Sequence, residues 1–149
     1  LVALPDGPAV QSPSDLTNAA IKRVAIGDVK TVPVGGYTRA YLEKVNLWAA
    51  ISPKTVPCES VRAVLAAVES GNVDAGFVYQ TDAAISKQVK IVYAVPAADA
   101  PKITYPMALV KDSKQPEAAK KFLAYLASEP AAEVFTKYGF IVVPASARQ

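Results

Sequence analysis

Short apolar runs alternate with segments of helical periodicity along this chain, and no other feature narrows its possible folds as far. A strand covered on both faces reads as a continuous apolar run, whereas an amphipathic helix repeats apolar positions at i, i+3, i+4 and i+7. Residues 1–4, 23–27, 75–79 and 90–95 are runs of the first kind. The second kind appears at about 37–48, with Tyr37, Ala40, Tyr41 and Val45 along one side, and again with Val61, Val64, Leu65 and Val68. It returns twice near the C-terminus, in Ala119, Phe122, Leu123 and Leu126 and then in Ala131, Val134, Phe135 and Tyr138. A short helix near 16–21, an extended piece at 54–57 and a helical turn at 81–84 fill the intervals. Residues 103–110 read as a long strand interrupted by Pro106, which marks an edge or a crossing between sheets.

The punctuation agrees with this division. Pro5-Asp6-Gly7-Pro8 stops the first strand, Gly27-Asp28 opens a loop through Val32-Pro33-Val34-Gly35-Gly36, and Ser52-Pro53 breaks the helix after it. Glu59-Ser60 offers an N-cap to the next helix, and Gly71-Asn72 ends it. Strands alternating with helices predict an α/β layer fold around a largely parallel sheet. Such sheets bind ligands at the C-terminal ends of their strands, beside helix N-termini. The loops after Ile26, before Val61 and after Val78 are therefore the places where chemistry is expected.

Composition removes several alternatives. With 149 residues and 52% apolar content, one domain of ordinary size can bury a core. The formal charge of +3 is scattered, its only basic pairs being modest ones such as Lys22-Arg23 and Lys120-Lys121, so no nucleic-acid stripe is expected. There is no histidine, which removes Ser-His and Cys-His nucleophile pairs, most zinc sites and the commonest general base. No paired-carboxylate motif or phosphate-cradling glycine signature replaces them, so the chain does not read as an enzyme, and no cofactor or metal is expected. Cys58 is the one cysteine and reads as a small half-buried apolar residue. No stretch approaches the length of an apolar transmembrane helix, and the opening Leu1-Val2-Ala3-Leu4, with neither Met nor signal peptide, reads as a processed or truncated start.

The three loops share a chemistry. Val34-Gly35-Gly36 and Ser60-Val61-Arg62 bring the free amides of two helix starts, and Tyr79 closes a strand with a phenol hydroxyl. Together they make an uncharged, donor-rich pocket suited to an anion. Asp28 is expected to order its own loop and to touch no anion, and Arg62 to make an ordinary surface contact.

These residues belong to a longer register. Val24-Ala25-Ile26-Gly27-Asp28, Val32-Pro33-Val34-Gly35-Gly36-Tyr37, Leu47-Trp48, Ser60-Val61-Arg62, Asp74-Ala75-Gly76-Phe77-Val78-Tyr79, Tyr105-Pro106 and Tyr138-Gly139-Phe140 follow one another in an order and spacing. That order resembles the periplasmic molybdate- and tungstate-binding proteins of bacterial ABC importers. The resemblance implies a two-lobed type II periplasmic binding protein that holds its oxyanion by amides and hydroxyls, with molybdenum present only in the bound oxyanion. It assigns the ligand contacts to the Val34 amide, the Val61 amide and the Tyr79 hydroxyl. It makes 1–104 the second lobe, and 105–149 a crossover strand and helices that return to the first. Relatives often carry alanine where Val34 stands, so a bulkier side chain is expected at the cleft, and some carry a basic residue where Gly36 stands. The serine hydroxyls of the first lobe match nothing here, which implies a missing first-lobe segment, with weakened or lost binding. The partners implied are the oxyanion and the importer's membrane subunit, and uncovered C-terminal helices imply self-association. The alternatives are an effector-sensing domain of a transcriptional regulator with the same fold, or a binding protein for another oxyanion such as sulfate.

Overall fold

The computed structural model describes residues 1–143, and they fall into two compact units divided between Lys102 and Ile103. The first unit is built on a five-stranded sheet of order β3-β2-β4-β1-β5. Its strands are β1 (Val2–Ala3), β2 (Val24–Gly27), β3 (Thr55–Cys58), β4 (Ala75–Gly76) and β5 (Lys90–Ile91). β2 pairs in parallel with both β3 and β4, while β1 runs antiparallel to β4 and β5. Four strands thus share one direction, and the sheet is mixed and mostly parallel, as the sequence predicts.

Alternation along the strands distributes side chains to two apolar layers. Val24 and Ile26 join Leu1, Ala3, Ala75 and Phe77 on one face, with Tyr41, Leu42 and Ile51 packed over them. Val2 and Ala25 look the other way, toward Val64, Val68 and Ala83. The first set of covering residues comes from α1 (Pro33–Lys44) and α2 (Trp48–Ile51). The second set comes from α3 (Val61–Glu69) and α4 (Gln80–Ile85). The expected stripe of α3 is buried at Val64, Leu65 and Val68, and its helix ends where Gly71 takes a φ of 70°. Beneath it, a Cβ on Gly76 would press on Val64 and Val68, so glycine lets α3 lie close to the sheet.

Several boundaries differ from the sequence expectation. The helix expected at 37–48 starts at Pro33 and ends at Lys44, because proline's fixed φ and absent N–H suit the first helical position. Asn46, at φ 59°, turns the chain before α2. The helix expected near 16–21 is a 3-10 turn over Pro13–Thr17, closed by Asp15, whose carboxylate accepts from the Gln11 and Ser12 amides at 2.9 Å. Lys54 braces the end of that turn, donating to the carbonyls of Leu16, Thr17 and Asn18 at 2.9, 3.0 and 2.7 Å. The runs at 75–79 and 90–95 form ladders over only two residues each.

The second unit holds α5 (Pro116–Leu126) and α6 (Glu129–Lys137). Edge-on aromatic contacts join Phe140 to Tyr105 at 5.6 Å and to Phe135 at 5.8 Å. Residues 103–110 are not a strand: none of them enters a ladder, and a strand exists only where a partner takes its backbone groups. The span expected to run to 149 includes 144–149, which lie outside the described residues.

Candidate functional site

β2 and β3 are neighbours running in parallel, with Gly27 opposite Cys58 at their C-terminal ends. The helix that follows β2, α1, packs on one face of the sheet, and the helix that follows β3, α3, packs on the other. A crevice at the strand ends is the consequence, because the two chains diverge there. Open α/β sheets bind ligands outside such C-terminal strand ends, and the reversal of strand order in this sheet falls between β2 and β4. The Asp28 amide donates to the Cys58 carbonyl at 2.8 Å and ties the two strand exits together.

Both helices present their first amides at that end. In α1, Pro33 has no N–H, while Gly35 and Gly36 bond back to the Val32 carbonyl at 2.9 and 3.4 Å. Among the described residues no acceptor is found for the Val34 amide between them. In α3, the Ser60 hydroxyl accepts from Ala63 at 3.1 Å, and the Ser60 carbonyl takes the Val64 amide at 3.1 Å. The Val61 and Arg62 amides have no acceptor among the described residues. Each helix thus carries uncommitted donors at its positive end.

The close approach of α1 to the strand end has a steric origin. A Cβ on Gly35 would run into the carbonyls of Gly27 and Asp28, and one on Gly27 would stand 2.8 Å from a Val34 methyl and 2.9 Å from the Gly35 nitrogen. Two facing glycines let the helix start rest on the strand. Val34 is only 4% exposed, with that methyl turned toward Gly27. The expectation that the valine brings bulk to the cleft is therefore corrected: its side chain packs inward while its amide stays uncommitted.

Tyr79 follows β4, the other parallel neighbour of β2, and caps α4, so it leaves the sheet at the same end. The Asp82 and Ala83 amides bond to its carbonyl at 3.1 Å, and its own amide is bonded by the Asp82 carboxylate. Tyr79 is half-buried.

Charge near these donors is limited and partly balanced. Burial pushes the Asp82 carboxyl upward, while the nearby Arg62 guanidinium opposes that shift. Burial, then the Glu59 charge, raises the Cys58 thiol, so it is a poor nucleophile at neutral pH. Asp28 behaves as expected: its carboxylate accepts from the Lys30 amide at 2.9 Å, the Thr31 amide at 3.0 Å and the Thr31 hydroxyl at 2.9 Å. Those bonds, that of Lys30 foremost, hold its carboxyl below the usual range. Asp82 and the Gly27–Gly35 contact were not singled out by sequence reasoning. An acidic residue three positions into a short helix was the available signal for the first, and nothing local signals the second. Among the described residues no group of histidine, cysteine or carboxylate side chains is placed to hold a metal ion.

The family model of bacterial extracellular solute-binding proteins matches residues 1–141. A Bacillus subtilis (strain 168) lipoprotein, YvgL, provisionally named as the substrate-binding component of an ABC transporter, is 46% identical over 122 residues, which is 82% of this chain and 47% of that protein. The molybdate-binding protein ModA of Escherichia coli (strain K12) is 41% identical over 120 residues, or 80% of this chain and 46% of that one. A solved substrate-binding domain from Clostridium difficile, provisionally assigned to a molybdenum ABC transporter, superposes with a TM-score of 0.81 at 36% identity, covering 96% of this chain and 62% of that one. The chain spans about half the length of the curated relatives it matches.

Proposed function

The chain belongs to the bacterial extracellular solute-binding protein family, and from that premise we propose that the crevice at its C-terminal strand ends takes a tetrahedral oxyanion, molybdate or tungstate, for delivery to an ABC importer. The Val34 amide, the Val61 amide and the Tyr79 hydroxyl are the donors this chain contributes. The observation that carries the reading is the pair of uncommitted amides at the starts of α1 and α3, the helices that follow two adjacent parallel strands and leave to opposite faces. The ModA relatives bear the same solute in their names. The same reading puts the protein in the periplasm, beside the importer's membrane subunit.

The chemistry favours a fully ionised oxyanion. A pocket made only of donors suits four acceptor oxygens that carry no proton. A protonated oxyanion such as hydrogen phosphate aims an O–H at a donor and leaves a group unpaired, at a cost of roughly 1–3 kcal/mol. Each hydrogen bond to the charged ligand returns roughly 1.5–3 kcal/mol, and each helix end adds about half a positive charge. In the resemblance, serine hydroxyls of the first lobe complete the donor set, and none of the present residues matches them. Binding by residues 1–149 alone is therefore weaker by orders of magnitude than binding by a site with both halves.

Isothermal calorimetry of the chain with molybdate, tungstate, sulfate and phosphate tests this. The expected result is metal-free binding of molybdate and tungstate with phosphate rejected. Tyr79→Phe lowers molybdate affinity by roughly tenfold, the worth of one hydrogen bond to a charged ligand. An unchanged affinity in that variant removes Tyr79 from the ligand set. Failure of a folded chain to take up molybdate at millimolar concentration, or a preference for phosphate, overturns the reading.

A further inference from the structure

We propose that Asp28 is the positioning residue that aims the Val34 amide, an inference that rests on the oxyanion reading above. The loop between β2 and α1 is a closed chain of bonds with Asp28 at its centre. Its amide holds the Cys58 carbonyl at 2.8 Å, and its carbonyl takes the Val32 amide at 2.9 Å. One carboxylate oxygen gathers the Lys30 amide, the Thr31 amide and the Thr31 hydroxyl. Val32 then anchors Gly35 and Gly36. The segment thus commits the amides at 28, 30, 31, 32, 35 and 36, and the Val34 amide is held among committed neighbours. Because the same residue is bonded to the end of β3, it also fixes the start of α1 relative to the strand that leads into α3.

The role belongs to the acceptor oxygen and not to the charge. A carboxylate near an anion site opposes binding, and this one is half-buried with all its bonds inside its own loop. Pre-organised donors bind more tightly because less ordering is left to the moment of binding. Asparagine retains an oxygen that accepts the same bonds, whereas alanine does not.

The test is amide hydrogen exchange by NMR on the 149-residue chain without anion, alongside molybdate calorimetry. Asp28→Ala speeds exchange at Gly35 and Gly36 and lowers molybdate affinity roughly tenfold, while Asp28→Asn restores both toward the parent values. Thr31→Val, which keeps the carboxylate and removes one bond, loosens the same amides by less and serves if the alanine variant does not fold. Unaltered exchange at 35 and 36 in Asp28→Ala and Thr31→Val overturns the proposal, and so does an asparagine variant as damaged as the alanine one. Should the parent chain take up no molybdate, the oxyanion reading falls, and the exchange comparison still decides whether Asp28 holds the loop.

Discussion

Gly35 and Gly36 are adjacent, chemically identical and in the same helical turn, yet the structure gives them opposite roles. A Cβ on Gly35 meets backbone carbonyls of Gly27 and Asp28, which no change of rotamer relieves. A Cβ on Gly36 meets only the Val29 carbonyl, at 3.9 Å. Gly35→Ala should therefore cost about 3 kcal/mol, the upper range of overpacking. Gly36→Ala should gain about 0.4–1 kcal/mol, because alanine restricts the unfolded chain and favours helix. Urea denaturation of the two variants checks the pair, and equal effects would refute the steric account. The same scale explains why the candidate donors are hard to read from residue type. In the proposed site Val34 and Val61 contribute only backbone amides, and valine as a side chain says nothing about them.

At the level of elements, α3 follows closely from local signals. Its stripe, its Ser60 cap and its Gly71 terminus all point to one helix, and all three are found. Ser60→Ala should cost about 1 kcal/mol by orphaning the Ala63 amide. Thermal unfolding followed by circular dichroism measures that loss, and an unshifted midpoint would deny the cap its role. α1 is the opposite case. Pro-Val-Gly-Gly has the composition of a loop, but tertiary packing on the end of β2 makes it a first helical turn. None of residues 90–95 around β5 is fully buried, whereas the two-residue ladder of β4 is shorter than its buried run for a related reason. An apolar run can be buried without a partner strand for every residue, as at Phe77, which still donates to the Ala25 carbonyl at 3.1 Å.

Across the whole molecule, the first unit hides its apolar residues far better than the second. Leu16, Ile26, Leu42 and Val64 are buried there, whereas Phe122, Tyr125 and Val134 on α5 and α6 are half exposed or more. Large apolar side chains left exposed on a pair of neighbouring helices favour a partner. Self-association through these helices is the expected behaviour, visible in sedimentation velocity as a mass that rises with concentration; a monomer at all concentrations would count against it. The α/β class, the succession of strands and helices in the first unit and the three loops proposed to supply donors were legible in the sequence, because periodicity and punctuation are local properties of the chain. Which helix covers which face, which glycine is indispensable, and the absence of a strand over residues 103–110 emerged from the packing alone. Those outcomes depend on what lies across from a residue, and neither a partner strand nor an opposing carbonyl is written in the segment that needs it.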